Sequence, residues 1–190
     1  MNGHLFLQGD IDIGKSTIIR EAVLPYINEV GGFFTVKLYR NKSKVGFALR
    51  CVQKSKDYIL SLDICDINQV PGLFMYEEKG KWNFNIDIFS TYALECLAQV
   101  PDNKLIIMDE VGGVELKNPV FVRWLTSCLN SNIPILGVLK SKKNLNNLQK
   151  QTKFDIQDIF SLWDHVYEND NIEVLTVTNN NKTEIRKMVK

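Results

Sequence analysis

No stretch of the sequence stays apolar for the roughly 20 residues that a membrane-spanning helix requires. The first apolar run is broken by a polar loop after a few residues, unlike a signal peptide. Neither sign of charge is in excess. The 23 Lys and Arg stand against 22 Asp and Glu, a formal net charge of +1, so nothing global favours nucleic acid or an anionic membrane. Cysteine is sparse and scattered: Cys51, Cys65, Cys96 and Cys128 form no C-x-x-C pair. The expectation is therefore buried free thiols in a reducing cytosol rather than disulfides or metal ligands. His4 and His165 have no ligand-spaced partners, which argues against a zinc site. These absences leave a soluble, cytoplasmic protein with no membrane association, nucleic acid an unlikely partner and a monomer favoured. The 190 residues, 45% of them hydrophobic, suffice for one domain over 1–190 with a sizeable core.

What is present is concentrated near the start. Leu5 to Leu7 reads as a short strand, followed by a loop and a helix opening at Lys15. Within this stretch Gly9, Gly14, Lys15 and Ser16 satisfy G-x-x-x-x-G-K-[ST], the phosphate-binding loop. Glycines at both ends let the backbone turn successive N–H groups inward around a phosphate. The helix adds unpaired amides and the positive end of its dipole. Lys15 supplies a point charge to the β- and γ-phosphates, and the Ser16 hydroxyl is a ligand for Mg²⁺. The nucleotide-binding set is Gly9, Asp10, Ile11, Asp12, Ile13, Gly14, Lys15, Ser16 and Thr17.

Along the rest of the chain, the spacing predicts a helix from Lys15 to Val30, interrupted by Pro25 near Leu24 and stopped at Gly31-Gly32. Phe33 to Tyr39 and Val45 to Val52 read as a hairpin, with further short strands at Tyr58 to Leu62, Leu73 to Glu77 and Trp82 to Ile86. Together they make a β-rich insertion at about 33–86. A helix is expected from Asp87 to Gln99, and Lys104 to Glu110 is an unbroken apolar run ending in acids, as in a strand covered on both faces. Asn118-Pro119 opens a helix to Leu129, and Pro134 to Leu139 is another apolar run. Lys140 to Lys153 is polar and basic, equally an exposed loop or a lid over the phosphates. A short helix around Asp155 to Leu162, a strand from Glu173 to Val177, and a capping-box start at Asn181 complete the chain. The alternation argues for an α/β fold: an open, mostly parallel sheet with helices on both faces.

Asp109 and Glu110 close the apolar run, where ligands bind in open α/β sheets. In a Mg²⁺–nucleotide enzyme such an Asp holds the metal, and a neighbouring carboxylate orients or deprotonates the attacking water. Gly112-Gly113 lets the backbone pass close to a ligand.

These motifs resemble the small nucleoside-triphosphatase family known from thermophilic microbes and, in humans, as the cancer-related nucleoside-triphosphatase. Four blocks carry the resemblance: Gly9 to Thr17; Gly32-Phe-Phe-Thr35 with Val45-Gly-Phe47; Met108-Asp-Glu-Val-Gly-Gly-Val-Glu-Leu116; and Val177-Thr-Asn-Asn-Asn-Lys182. In order and spacing they cover nearly the whole chain. The resemblance implies a P-loop NTPase fold of the RecA/adenylate-kinase type and Mg²⁺-dependent hydrolysis of several nucleoside triphosphates, ATP and GTP among them, to diphosphate and phosphate. It implies Lys15 and Glu110 as catalytic residues, Ser16 and Asp109 as metal ligands, and Gly112 beside the γ-phosphate. The chain departs from the family pattern in three places. The loop carries Asp10 and Asp12, Gly113 replaces a Lys, and Lys182 stands where Arg is usual.

Two other functions share these parts. A nucleotide or small-metabolite kinase needs a second substrate pocket, which the insertion could build, and a lid. A nucleotide-sensing module turns over only with a partner. Lys37 to Lys44 reads as a solvated hairpin tip. Arg20, Arg40, Arg50 and Arg123 are unranked candidates for an arginine finger. The aromatics read as core, with Trp163 or Phe47 available to stack on a base.

Overall fold

The computed structural model describes residues 3–54, 58–99, 105–152 and 160–189. Its strands are β1 (His4–Gly9), β2 (Val30–Arg40), β3 (Ser43–Cys51), β4 (Ser61–Asp63), β5 (Leu73–Glu78), β6 (Lys81–Phe84), β7 (Leu105–Val111), β8 (Ile135–Leu139) and β9 (Ile172–Val177). Its helices are α1 (Lys15–Val23), α2 (Ile86–Leu97), α3 (Pro119–Leu129), α4 (Lys142–Thr152), α5 (Phe160–Glu168) and α6 (Lys182–Met188). All nine strands join one sheet in the order β6-β5-β3-β2-β7-β8-β1-β9, with β4 beside β2.

The sheet is mixed rather than purely parallel. From β2 through β7, β8 and β1 to β9 every pairing is parallel, whereas β3, β5 and β6 continue it as an antiparallel meander. The β-rich insertion is thus an extension of the same sheet. Its two-residue turn at Asn41 and Lys42 has φ of 51° and 66°, as a tight hairpin of matching twist demands.

Alternation along the parallel strands assigns the two faces. Phe6, Phe33, Ile106, Met108 and Ile135 enter one apolar cluster with α2 and α3, around Phe89, Phe121 and Leu125. Leu5, Leu7, Phe34, Ile107 and Leu136 enter the other, with Ile18 and Ile19 of α1 and Ile185 of α6. On the first face Phe89 stands edge-on to Phe33, Phe74 and Phe121 at 5.8, 5.0 and 5.6 Å, geometries that the ring quadrupole favours.

Several expected features differ. α1 ends at Val23 and is followed by a 3-10 turn, Leu24–Tyr26, with Pro25 inside it, because proline cannot supply the next helical amide. Gly31 and Gly32 do not stop a helix; they lie in β2. Gly32, at φ +103°, lies so close to β7 that a Cβ there would run into the carbonyl of Ile107 and come within 2.9 Å of its nitrogen. We expect Gly32→Ala to destabilise the fold by more than about 2 kcal/mol in urea unfolding, through strain and a displaced β7. An unchanged midpoint contradicts that close approach.

The basic run after Lys140 is the helix α4 rather than a loop. Its first turn is held by Ser141, whose Oγ accepts from the Asn144 amide at 3.2 Å. Asn181 precedes α6 without capping it. Its Oδ1 instead accepts from the Thr178 amide at 2.8 Å and its Nδ2 donates to the Thr176 carbonyl at 2.9 Å. Contrary to the expectation of free thiols, Cys51 and Cys96 form a disulfide. Sequence spacing gave no sign of it, because the pair meets only where the end of β3 packs under the C-terminal turn of α2. Cys65 and Cys128 are free. The start of the apolar run at Lys104, Lys153, and most of the helix expected from Asp155 lie outside the described residues. No helix among the described residues is long and apolar enough to cross a membrane.

Candidate active site

The carboxyl ends of β1, β7 and β8 converge on the loop from Gly9 to Gly14. Gly9 has φ +142°, and a Cβ there would sit 2.5 Å from the carbonyl oxygen of Val177 on β9, so the loop leaves the sheet where glycine alone fits. Gly14, left-handed at φ 102°, caps α1 without a side chain, and no acid occupies the first turn. The N-terminal amides of α1 and its dipole are therefore left to an anion. Lys15 reaches across the loop, donating to the carbonyls of Gly9 at 3.1 Å and Asp10 at 2.7 Å. Burial lowers its pKa, opposed by Glu110 and Asp109.

The two loop acids are each matched by a lysine. Lys143 of α4 donates to Asp10 at 2.8 Å, and Lys37 of β2 pairs with Asp12. These hydrogen bonds hold both carboxyls below their ordinary range. Asn144 adds a bond from its Nδ2 to the Gly9 carbonyl at 3.1 Å. The loop is thus tied to α4 on one side and to β2 on the other. Ile11 is 63% exposed, consistent with a loop that works through its backbone.

Ser16 Oγ donates to Asp109 Oδ1 at 3.0 Å. Asp109 is wholly buried, and its Oδ2 has no hydrogen-bond partner. Burial and then the charge of Glu110 push its carboxyl up to about 7, against the Ser16 hydrogen bond and Lys15. A hydroxyl beside an orphaned carboxylate oxygen is a hard-oxygen donor set, and it fits Mg²⁺. That ion keeps most of its waters and completes its shell with phosphate oxygens. No group of three or more His, Cys, Asp or Glu among the described residues offers a full protein cage instead.

Glu110 has φ +74°, and the pairing of β7 with β8 slips between Met108 and Val111. Such a bulge re-aims a side chain, and a left-handed glutamate is costly enough to mark a constrained site. Its side chain is about 37% exposed, and its Oε1 lies 3.3 Å from Lys140 Nζ. Lys140 is also the main cause of its lowered pKa. In spite of burial, Glu110 and Glu115 raise the pKa of Lys140.

Lys140 was read from sequence only as part of a basic run, yet it is the first residue past β8, a strand-end position that composition does not flag. A Cβ on Gly113 would lie 3.3 Å from its Cε and 3.5 Å from its Nζ. An ammonium thus occupies the space beside the position where the family pattern has a lysine. Glu115 was likewise not singled out. Its Oε1 accepts from the amides of Gly112 and Gly113 at 2.7 and 2.6 Å, and burial raises its pKa. The Gly112 amide is thereby engaged, and a Cβ there would press against Trp163 at 2.8 Å. Gly112 packs the site from behind rather than opening towards it. Trp163 is core and presents no face for stacking.

Of the candidate arginines, Arg20 bonds the Tyr58 carbonyl at 2.9 Å and Arg50 the Leu49 carbonyl at 2.9 Å. Arg40 and Arg123 are exposed. A cavity of about 680 Å³ opens from Gly14, Lys15, Ser16 and Thr17, and among the described residues the cations along it are Lys15, Lys37, Lys44 and Lys140, with no arginine. Lys182 lies on the other side of the loop, its Nζ 2.7 Å from where a Gly14 Cβ would be.

A family profile described as NTPase matches residues 4–189. Nucleoside-triphosphatase THEP1 of Methanosarcina barkeri is 26% identical over 145 residues, covering 74% of this chain and 78% of that protein. The cancer-related nucleoside-triphosphatase homolog of Mus musculus is 24% identical over 156 residues, covering 75% and 78%. The solution structure of a human cancer-related nucleoside triphosphatase superposes with a TM-score of 0.67 at 19% identity, over 98% of this chain and 95% of that one.

Proposed function

The chain belongs to the NTPase family, and on that premise we propose that it hydrolyses nucleoside triphosphates to diphosphate and phosphate with Mg²⁺, with broad tolerance of the base. The observation that carries this reading is the bond from Ser16 to Asp109, which joins the phosphate loop to the acids of β7.

In this account the amides of the loop and of the α1 N-terminus hold the β- and γ-phosphates, and Lys15 exchanges its carbonyl partners for phosphate oxygens. Ser16 and Asp109 hold Mg²⁺, which when bound supplies positive charge to the phosphates. Glu110 accepts a proton from the water that attacks the γ-phosphorus, and its low pKa keeps it ionised for that task. Lys140 orients Glu110 and adds positive charge where negative charge grows on the transferred group. Base tolerance is supported by the placement of the site's charged groups, Lys15, Lys140, Asp109 and Glu110, which act on the phosphates, the metal and the water rather than on the base.

The test is phosphate release from ATP, GTP, CTP and UTP with Mg²⁺ and with a chelator. We expect release from all four at rates within about tenfold of one another, lost on chelation. Release unaffected by chelation, or confined to one base, contradicts the respective part of the proposal.

The raised pKa of Asp109 carries a stability signature. A carboxyl that titrates at about 7 when folded, and at its ordinary value of 3.8 when unfolded, is more protonated in the folded state between those values. It therefore makes the metal-free protein less stable as pH rises from about 4 to about 7, with no further loss above that. Glu115 shifts in the same direction, and His4, lowered by burial, in the opposite one. The difference between the wild-type protein and Asp109→Asn isolates the term. We expect the metal-free variant to melt higher than wild type at pH 8, with the gap closing towards pH 4. An equal or lower melting temperature at pH 8 contradicts the buried, metal-awaiting carboxylate.

A further inference from the structure

The cavity does not end at the phosphate site. β2 turns Thr35, Lys37 and Tyr39 into it, residues spaced by two on one face of the strand. From Lys37 the lining continues across the antiparallel strands in register: Lys37 opposite Phe47, Phe47 opposite Met75, Met75 opposite Phe84. Trp82 stands 6.0 Å from Phe47, and the Lys44 ammonium rides 5.4 Å over the Phe47 ring. The far half of the cavity is thus an aromatic wall, and lysines separate it from the catalytic acids.

Hydrolysis needs room for one water beyond the γ-phosphate, whereas the lining runs on past Lys15 and Glu110 to Tyr39, Lys44, Phe47 and Trp82. The order of the strand ends says which side it serves. On the proposed reading of the phosphate site the acids of β7 are at its γ-phosphate end; β9 and Lys182 flank the loop on the far side of β1, and the aromatic wall lies beyond β7 on the β2 side. A nucleoside leaving the loop towards β9 leaves this chamber to a second molecule, in front of the γ-phosphorus.

We propose that the chamber formed by Lys37, Lys44, Phe47 and Trp82 is an acceptor site for a nucleoside monophosphate, which takes the γ-phosphoryl group in place of water. Its base stacks on the Phe47 and Trp82 wall, and its phosphate meets Lys44, which has no carboxylate partner among the described ion pairs. A lone pair on an oxygen of the acceptor phosphate forms the new bond to the γ-phosphorus. The bond from that phosphorus to the β–γ bridging oxygen breaks, and its electron pair leaves with the nucleoside diphosphate. A proton on the acceptor phosphate, where present, passes to Glu110. Triphosphate and monophosphate thus yield two diphosphates. This inference rests on the reading of the phosphate site given above.

The test uses the full chain, Mg²⁺, γ-labelled ATP, and AMP, GMP, CMP or UMP as acceptor. Labelled diphosphate is separated from free phosphate, and monophosphate binding is measured by calorimetry beside a non-hydrolysable ATP analogue. We expect at least one monophosphate to bind and to draw label at ten or more times the rate of free phosphate release. Phe47→Ala with Trp82→Ala should weaken monophosphate binding more than tenfold and leave acceptor-free phosphate release within twofold. Lys44→Ala repeats the binding test should the double variant fail to fold. If no monophosphate binds at millimolar concentration while ATP is still hydrolysed, the inference is overturned and the hydrolase reading stands. If the double variant weakens ATP itself as much as the monophosphate, the chamber holds the triphosphate's own base, and the inference is again overturned. If ATP is neither bound nor cleaved, it is the phosphate-site reading that fails.

Discussion

Glu110→Gln should bind Mg²⁺–ATP within a few-fold of the unaltered protein and release phosphate about 10³-fold more slowly. The magnitude is that of a positioned general base. Glutamine keeps the size of the side chain and its hydrogen bond with Lys140 but cannot take a proton. The backbone argues that this residue acts on a ligand rather than holding the fold: φ of +74° and a slipped register turn it out of the strand's alternation. Its side chain remains partly exposed on the cavity side of an otherwise buried strand. Rapid-quench measurement of the hydrolysis step, beside equilibrium nucleotide binding, separates the two effects. Turnover within tenfold of wild type means that another group handles the water.

Lys15→Ala should weaken nucleotide binding by about 10² to 10³, the effect of truncating one partner of a desolvated charge pair. The half-buried ammonium faces Asp109 and Glu110, so its removal also leaves two acids facing a polyphosphate with less compensation. Lys140 and Lys37 remain, but Lys140 is held by Glu110 and Lys37 by Asp12. Fluorescent-nucleotide titration reads this directly. Binding unchanged on loss of Lys15 contradicts the assignment of the loop. A selective loss of turnover with binding intact reassigns Lys15 to the transition state alone.

Much of the site was legible because its chemistry is local. Gly9 to Thr17 carries its own strand, turn and helix signals, and the unbroken apolar run before Asp109 announced a buried parallel strand. The 93-residue separation of Ser16 from Asp109 is closed by the sheet order, which the alternation of elements predicts in outline. Lys140 was opaque because its role comes from where β8 ends beside β7, a non-local fact hidden in a basic stretch. Gly31-Gly32 was misread because a glycine pair stops helices and equally admits a close strand neighbour; only the partner strand decides. The Cys51–Cys96 bridge carries no spacing signal across 45 residues. Gly112 sits in a motif beside the acids, yet Trp163, about fifty residues on, fills the space against it.

The central claim is that Lys15, the loop amides and Ser16 hold a Mg²⁺–triphosphate against Asp109 and Glu110. A crystal structure with Mg²⁺ and a non-hydrolysable ATP or GTP analogue tests it most directly. We expect β- and γ-phosphates within the Gly9 to Gly14 loop, a metal bound to Ser16 Oγ and next to Asp109 Oδ2, and Glu110 within reach of a water facing the γ-phosphorus. A nucleotide bound elsewhere, or a metal remote from Asp109, contradicts it.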